Sequence, residues 1–335
     1  MSQAKGNDAN NARACDPTAW IVAEGHQHQL AAPVTAGGDI TAETLTTPSR
    51  PGGEAVLAGR RIARVGFGTM QLPRLGDVNA GRAVLRRARE LGVNHFDTAQ
   101  FYGNGAANAC LAAEVVGDPE VVIVTKVGAR PASGPVPLQA AQRPEELRED
   151  VHENLRTLGV EQLDVVNLRR IPEGTVPPGP GQVVPFEDQL AEMVAMRQEG
   201  LIGAIGLSTV DADQLRGALP AGIVCVQNAY SLVSLDDEPL LGICRDEGIA
   251  WAPYFPLGGG FPGSAKVVEL PAVLAIAEQT GATPAQIGLF WLLHHAPNTL
   301  VIAGTASIDH LEQNVAAGSL ELSEWQLTLF DAAVA

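Results

Sequence analysis

The sequence predicts an α/β fold in which eight parallel strands, each followed by a helix, close into a (β/α)8 TIM barrel. From residue 54 onward, short β-branched runs alternate with stretches of helical periodicity. Such alternation indicates a parallel sheet, and eight repeats favour a closed barrel over an open sheet. The chain has 335 residues, 46% of them hydrophobic, which suits one large domain of this kind.

The predicted elements follow one another in a regular order. A β-hairpin over residues 56–62, with its turn near Gly59, comes first. Barrel strands are expected at residues 65–69, 93–97, 121–126, 163–169, 202–207, 223–227, 249–253 and 300–303. Helices are expected at residues 81–91, 145–158, 186–199, 239–247 and 284–294.

A doubly wound dinucleotide-binding sheet is the main structural alternative. It would need the pattern GxGxxG after the first strand and an acidic residue about 20 positions later. Residues 66–71 read GFGTMQ and lack the third glycine, while the glycine run 258–260 comes too late in the chain. The barrel is therefore the better interpretation.

The amino-terminal segment, residues 1–52, differs from the rest in composition. It is rich in Ala, Gly, Asn and Thr and shows no sustained period, which is typical of a flexible tail. A misassigned start of translation is an alternative explanation. The barrel domain would then span residues 53–335.

The charge of the chain bears on its partners. The net charge is −16, so nucleic acids and anionic membranes, both polyanions, are unfavourable partners. No run of 18 apolar residues occurs, and the amino terminus lacks a cationic segment followed by an apolar one. We expect a cytoplasmic protein that is a monomer or a weak homo-oligomer.

Cysteine and histidine spacing gives no sign of a metal site. The four cysteines, Cys15, Cys110, Cys225 and Cys244, show no CxxC spacing, and three of them lie in apolar runs, as small buried hydrophobes do. His294 and His295 are adjacent, so on a helix their side chains diverge by about 100°. We expect reduced, structural cysteines and no metal.

Three polar residues follow buried strands and indicate catalysis. Asp97 ends one strand, Tyr102 comes five residues later, and Lys126 ends the next strand. The carboxyl ends of barrel strands meet on the face that carries active sites. Because a nearby ammonium stabilises a phenolate, this combination suits general-acid chemistry on a carbonyl oxygen.

At this point the residues resemble the aldo-keto reductase family. The similarity lies in residues 65–70, 92–99, 125–126, 206–208, Gln227, 304–305 and Asn314, in the family's order. It covers nearly everything after residue 60. The resemblance implies a hairpin that plugs the barrel, and reduction of an aldehyde or ketone by a nicotinamide cofactor. It also implies that Tyr102 donates the proton, that Lys126 polarises the Tyr102 hydroxyl, and that Asp97 holds Lys126 by an ion pair.

The fourth catalytic position departs from the family. The strand that usually ends in histidine reads Asn167-Leu168-Arg169 here, which puts Arg169 in the place of the histidine. Strand alternation puts Asn167 and Arg169 on the same, barrel-facing side, opposite the apolar Leu168. Arginine is always cationic and only donates hydrogen bonds, so it can orient a carbonyl oxygen or an anionic group but cannot relay a proton. Asn-Leu-Arg resembles a bacterial subgroup that includes pyridoxal reductases, which suggests a pyridoxal-like aldehyde.

The resemblance also implies a cofactor site, with NADPH as the family's usual cofactor. The residues that it assigns to cofactor binding are Thr69, Ser208, Thr209, Gln227, Tyr254, Phe255, Leu257, Gly259, Gly304, Thr305, Ser307, His310, Gln313 and Asn314. Of these, Ser208, Thr209 and Gln227 match positions that bind the nicotinamide carboxamide, although the family commonly has Asn where Thr209 stands. Tyr254 matches the aromatic residue that stacks on the nicotinamide ring. The cation often found near the adenosine 2′-phosphate is missing, with His310 near its place and Asp309 beside it, so NADH remains an alternative.

Three functions stay open from the sequence. The first is an NADPH-dependent carbonyl reductase, favoured by the presence of Asp97, Tyr102 and Lys126. The second is a non-catalytic dinucleotide-binding module of the same fold. The third is a biosynthetic reductase whose reaction is altered because Arg169 replaces histidine.

Overall fold

A computed structural model describes residues 50–132, 138–171, 181–260 and 263–334. Residues 1–49, which make up most of the predicted tail, lie outside the described residues. The last residues of that predicted segment contact the barrel, because the Pro51 carbonyl accepts a hydrogen bond from the Val65 amide at 3.0 Å.

Eleven strands are found in the described part of the chain. They are β1 (Glu54–Leu57), β2 (Arg60–Ala63), β3 (Phe67–Gly68), β4 (His95–Asp97), β5 (Val122–Val127), β6 (Ala129–Pro131), β7 (Leu138–Ala140), β8 (Leu163–Arg169), β9 (Ile202–Ser208), β10 (Ile223–Gln227) and β11 (Ala250–Trp251). Strands β1 and β2 form the predicted hairpin. Its turn residues, Ala58 and Gly59, both have positive φ, as tight hairpins require.

The predicted parallel barrel is confirmed. One sheet has the order β11-β10-β9-β8-β5-β4-β3, with every described pair parallel. The predicted eighth strand, residues 300–303, is present only as parallel bridges. Thr299 pairs with Trp251 at one edge of the sheet, and Val301 pairs with Val65 at the other. These bridges connect the two edges and close the barrel.

Ten α-helices surround the sheet in the described residues. They are α1 (Val78–Glu90), α2 (Ala106–Glu114), α3 (Pro144–Leu158), α4 (Phe186–Gln198), α5 (Ala212–Ala218), α6 (Glu238–Asp246), α7 (Pro271–Thr280), α8 (Pro284–His295), α9 (Ile308–Ala316) and α10 (Glu324–Val334). The five predicted helices are all present, within about three residues of their predicted bounds. Side chains of Asp77, Asp211, Thr283 and Ser307 cap the amino termini of α1, α5, α8 and α9.

The barrel interior is filled from the bottom by the hairpin. Leu57 and Ile62 are fully buried and pack with the inward-facing side chains of the strands. Those interior partners are Val122, Val124, Val165, Ala204, Cys225, Ala250, Ala252 and Leu300. A larger apolar cluster lies between the sheet and its helices. The plugged bottom leaves the opposite, carboxyl-terminal end of the strands for polar side chains.

Three of the four cysteines lie in the described residues, and they are buried as predicted. Cys110, Cys225 and Cys244 are buried free thiols. Cys15 lies outside the described residues. In the part of the chain that the structure describes, no helix is long and apolar enough to cross a membrane.

His95, on β4, is a buried titratable group inside the fold. It is 1% exposed, and its Nδ1 lies 3.2 Å from the Ala63 carbonyl oxygen. Burial lowers the pKa of His95 to about 4, against smaller raising effects of that carbonyl and of Asp97. The side chain is therefore neutral in the folded protein at neutral pH.

This burial predicts a pH-dependent loss of stability. In the unfolded chain His95 takes up a proton below about pH 6.5, whereas the folded protein does so only near pH 4, so acid favours unfolding in that window. The loss should reach about 3 kcal/mol. Chemical denaturation from pH 7 to 4 should show a His95→Gln variant lacking this loss, while His152→Gln, at an exposed site, keeps it. Equal pH dependence in all three proteins would contradict the assignment.

Candidate active site

Asp97 and Lys126 form a buried ion pair at the carboxyl ends of β4 and β5. Lys126 Nζ lies 2.5 Å from Asp97 Oδ1, and both residues are 3% exposed. Lys126 Nζ also donates to the Thr98 carbonyl at 2.9 Å, and Gln227 Nε2 donates to Asp97 Oδ2 at 2.6 Å. The structure therefore brings together the carboxylate and the amine that the sequence predicted to pair.

Tyr102 lies directly against this ammonium. Lys126 Nζ is 5.0 Å from the centroid of the Tyr102 ring. Burial by itself lowers the pKa of Lys126, but the charge of Asp97 and the Tyr102 phenol outweigh it, so this pKa lies above its ordinary value. The amine thus remains an ammonium at neutral pH, beside a phenol that is only partly buried.

A buried hydrogen-bond network holds the loop that carries Tyr102. Asn108, in α2, accepts from Thr98 Oγ1 at 2.8 Å and donates to Gln100 Oε1 at 2.9 Å. Its amide also donates to Asn154 Oδ1 in α3, which accepts from Thr125 Oγ1 as well. The residues on both sides of the loop are therefore fixed by side chains that satisfy one another.

Arg169 ends β8 at the mouth of the barrel. Its guanidinium carbon lies 5.9 Å from the centroid of Phe101 and 5.8 Å from that of Tyr254, within cation–π range of both rings. The side chain is partly buried, and its Nε is buried with no hydrogen-bond partner among the described residues. Arg169 therefore lies between the residue before Tyr102 and the predicted nicotinamide-stacking ring.

The predicted alternation of Asn167 and Arg169 on the inner face of β8 is supported by the register. Lys126, Asn167, Gly206 and Cys225 lie side by side on neighbouring parallel strands, so they form one interior layer. The Asn167 amide occupies the space over Gly206, and a Cβ there would overlap Asn167 Oδ1. That oxygen accepts from Cys225 Sγ at 3.1 Å.

The predicted nicotinamide residues meet on the next layer. Ser208 lies beside both Arg169 and Gln227 in the sheet. Thr209 Oγ1 is 3.3 Å from the Tyr254 hydroxyl. Thr209 has φ +61°, a left-handed conformation that is unfavourable for a β-branched residue. Backbone strain of this kind concentrates at functional sites.

The glycine-containing loop after β11 is tightly folded. Phe255 has φ +54°, and Gly258 and Gly259 also have positive φ. The amide of Gly258 donates to the Phe255 carbonyl and that of Gly259 to the Ala265 carbonyl. Leu257 packs against the apolar cluster between sheet and helices. These two amides are therefore engaged within the loop, and an anion would have to bind other groups there or open these bonds.

The turn into α9 combines a close glycine contact with a serine cap. Gly304 packs against Gly68 so closely that a Cβ on either residue would overlap backbone. Thr305 Oγ1 accepts from the Ser307 amide at 3.0 Å, and Ser307 Oγ caps the helix. His310 is exposed and Gln313 and Asn314 are partly buried, all on α9. A helix amino terminus with a serine cap favours an anion.

The chain matches known proteins over nearly all of this architecture. The model of the aldo/keto reductase family matches residues 64–335. The chain belongs to the aldo/keto reductase family.

Relatives of known sequence point the same way. The chain is 40% identical over 283 residues to pyridoxine 4-dehydrogenase of Escherichia coli, covering 82% of this chain and 96% of that protein. It is 33% identical to an uncharacterised oxidoreductase of Schizosaccharomyces pombe, covering 84% and 90%. Among solved structures, an aldo-keto reductase from Klebsiella pneumoniae in complex with NADPH has a TM-score of 0.68 at 24% identity, covering 86% and 95%. This chain is thus an oxidoreductase of the aldo/keto reductase family.

Several contacts in this aldo/keto reductase site were not predicted. Gln227 contacts Asp97 through its amide nitrogen, and Thr69 donates its hydroxyl to the Asp97 carbonyl at 3.0 Å. Both were assigned to cofactor binding alone. Asn108 was not singled out, because an Asn inside an Ala-rich segment carries no signal of the network that it joins.

The site fits a nicotinamide cofactor on its own features. Gln227 Oε1 and Asn167 Nδ2 are buried polar atoms without hydrogen-bond partners among the described residues. Such atoms are costly unless a ligand or water pairs with them. They lie in the polar layers above the apolar plug, next to Ser208 and Lys126. An amide-bearing ring could satisfy them.

The contact between Asn167 and Gly206 generates a stability prediction. Gly206→Ala should lower the free energy of unfolding by about 1–3 kcal/mol, because the new methyl group displaces a buried amide. Gly217→Ala is the matched control, since this exposed glycine in α5 has open space around it and should gain about 0.5–1 kcal/mol. Denaturant unfolding of both variants measures the difference. A neutral Gly206→Ala would show that Asn167 does not fill this space.

Proposed function

We propose that this protein is an NADPH-dependent reductase of aldehydes or ketones, with pyridoxal-like aldehydes as the leading substrates. The observation that carries the proposal is the buried Lys126–Asp97 pair against the partly exposed Tyr102 ring. Proton donation accounts for two buried charges against a phenol, although the desolvation of each charge costs several kcal/mol. The arrangement supports proton donation at the mouth of the barrel.

Tyr102 is the proposed general acid. The Lys126 ammonium stabilises the phenolate that remains after the proton has left, and Asp97 keeps the ammonium in position. Bound NADPH supplies the hydride that the carbonyl carbon takes up. The carbonyl oxygen takes the proton of Tyr102, so an alcohol forms.

Arg169 is proposed to bind the oxygen side of the substrate. Its guanidinium is held by two aromatic rings, and its buried Nε is available for an acceptor. It cannot act as an acid or base near neutral pH. In this respect the proposed mechanism differs from one with histidine at the same position.

The cofactor would be held by residues of three regions. Ser208, Thr209 and Gln227 would bind the carboxamide, and Tyr254 would contact the nicotinamide ring. The loop with Phe255, Leu257 and Gly259 would lie along the pyrophosphate. Residues of the last βα turn and of α9 would bind the adenosine end; these are Gly304, Thr305, Ser307, His310, Gln313 and Asn314. Thr69, which follows Gly68 beside this turn, would belong to the same region. NADPH is proposed because the Klebsiella pneumoniae structure contains it.

Pyridoxal is proposed because of the relative named pyridoxine 4-dehydrogenase. Reduction of pyridoxal is the reverse of the oxidation that this name describes. The direct test is a panel of aldehydes that includes pyridoxal, each assayed with NADPH and with NADH by nicotinamide absorbance. Reduction of pyridoxal with NADPH supports the proposal, and no reduction of any aldehyde with either cofactor contradicts it.

Removal of the Tyr102 hydroxyl should abolish most of the activity. Tyr102→Phe keeps the ring but removes the acid, so kcat should fall by about two to four orders of magnitude, with cofactor binding nearly unchanged. Tyr230→Phe is the control, because Tyr230 lies in the apolar cluster between the sheet and its helices. Its hydroxyl donates a hydrogen bond to Glu238, so this variant also removes a phenol hydroxyl, but one outside the site. Steady-state kinetics and cofactor titration check both. Near wild-type turnover of Tyr102→Phe would remove Tyr102 from the mechanism.

The preference for NADPH over NADH should be modest. The Ser307 cap offers hydrogen bonds to a 2′-phosphate, but Asp309 stands in the first turn of α9 and no arginine or lysine occurs there. We expect NADPH to bind more tightly by about 1–3 kcal/mol, the value of charge-assisted hydrogen bonds. Fluorescence titrations with both cofactors measure this, and tighter binding of NADH would contradict it.

A further inference from the structure

The positive charge of Arg169 has no anionic partner in the described structure. Asp97 neutralises Lys126, a second cation at the mouth of the barrel. The Arg169 guanidinium contacts two aromatic rings, and no described carboxylate forms an ion pair with it. The chain has 38 acidic and 22 basic residues, so carboxylates are in excess elsewhere. A cation left unpaired in such a protein favours an anionic ligand.

The surroundings of this charge specify the shape of the ligand. Phe101 follows β4 and Tyr254 follows β11, and both rings contact the guanidinium. Tyr102 is the next residue after Phe101 and lies against its ring. Phe101 and Tyr102 have ring centroids 5.1 Å apart. Aromatic rings favour a planar aromatic ligand. A guanidinium pairs with anionic oxygen. Because Arg169 lies over Phe101, the neighbour of Tyr102, that oxygen would be on the side of the ligand that carries the carbonyl.

We propose that the site selects aromatic aldehydes that carry an ionised hydroxyl on the ring carbon next to the formyl group, with Arg169 binding that phenolate oxygen. This inference rests on the proposed carbonyl reduction and deepens it. In the reaction the carbonyl carbon gains a hydride from NADPH, its oxygen gains the Tyr102 proton, and the phenolate is unchanged. Pyridoxal, which has a ring hydroxyl beside its formyl group, is one member of this class.

The chemistry of such aldehydes gives the proposal a clear signature. A phenolate donates electrons into the carbonyl, so ionisation by itself makes the carbon a poorer hydride acceptor. A guanidinium on the phenolate oxygen opposes this effect and adds a charge-assisted hydrogen bond, worth roughly 10- to 100-fold. Ionisation should therefore raise the specificity of this enzyme while lowering the intrinsic reactivity of the aldehyde.

The test compares 2-hydroxybenzaldehyde with 2-methoxybenzaldehyde, which has the same ring oxygen but cannot ionise. The ratio of their kcat/KM values with NADPH should rise with pH as the phenol ionises and reach at least about tenfold. The Arg169→Gln variant keeps an amide donor but loses the charge. In this variant the ratio should not exceed about three at any pH, and it should fall as the pH rises. Effects on the general activity of the variant cancel in this ratio.

A third aldehyde and the wild-type protein alone complete the test. 3-Hydroxybenzaldehyde has its phenol in the wrong position and should show no rise with pH. If Arg169→Gln does not fold, the pH dependence of the wild-type ratio still decides. If all three aldehydes are reduced but the kcat/KM ratio does not depend on pH, this inference is overturned and carbonyl reduction is left standing. The same holds if the enzyme prefers phenylglyoxylate, in which the anionic group next to the carbonyl is a carboxylate rather than a phenolate. Failure to reduce any of them, pyridoxal included, overturns the proposed function itself.

Discussion

The ion pair between Lys126 and Asp97 is the interaction on which the rest of the site depends. Both groups are buried, so each would be strongly destabilising without its partner. The remaining hydrogen-bonding capacity is also used, because Gln227 donates to Asp97 and the Thr98 carbonyl accepts from Lys126. These bonds connect β4, β5 and β10 across the barrel mouth. The pair therefore fixes the position of the charge that faces Tyr102 and joins strands that are distant in the chain.

Much of this arrangement could be predicted, because the position of a residue along a barrel strand determines the end of the barrel at which it lies. A residue at the carboxyl end of any strand faces the same end of the barrel, so Asp97, Lys126 and Arg169 could be brought together without knowing the exact strand order. Strand alternation likewise indicated that Asn167 faces inward. Five helices were also predicted. The Ala-rich α2 was not predicted, because its nine residues include only one charged side chain, Glu114, to mark a solvent-facing side.

Contacts between side chains could not be predicted in the same way. Asn167 reaches over Gly206 to Cys225, which requires β9 to stand between β8 and β10 and its residue there to be glycine. The sequence does not state which neighbours are in register. Gln227 and Thr69 show a second limit: a polar residue beside a site can bond to the protein rather than to a ligand. The eighth strand was shorter than predicted because only Thr299 and Val301 form bridges.

Replacement of a histidine by Arg169 changes the electrostatics more than the shape of the site. Asp97 balances Lys126, whereas Arg169 has no described carboxylate partner, and arginine is a permanent cation. Histidine in the same place could be neutral while a neutral carbonyl binds. A permanent cation between Phe101 and Tyr254 is partly dehydrated, and an anionic oxygen on a ligand would restore that lost stabilisation. In the proposed mechanism the substitution therefore acts on which aldehyde is bound, whereas proton donation stays with Tyr102.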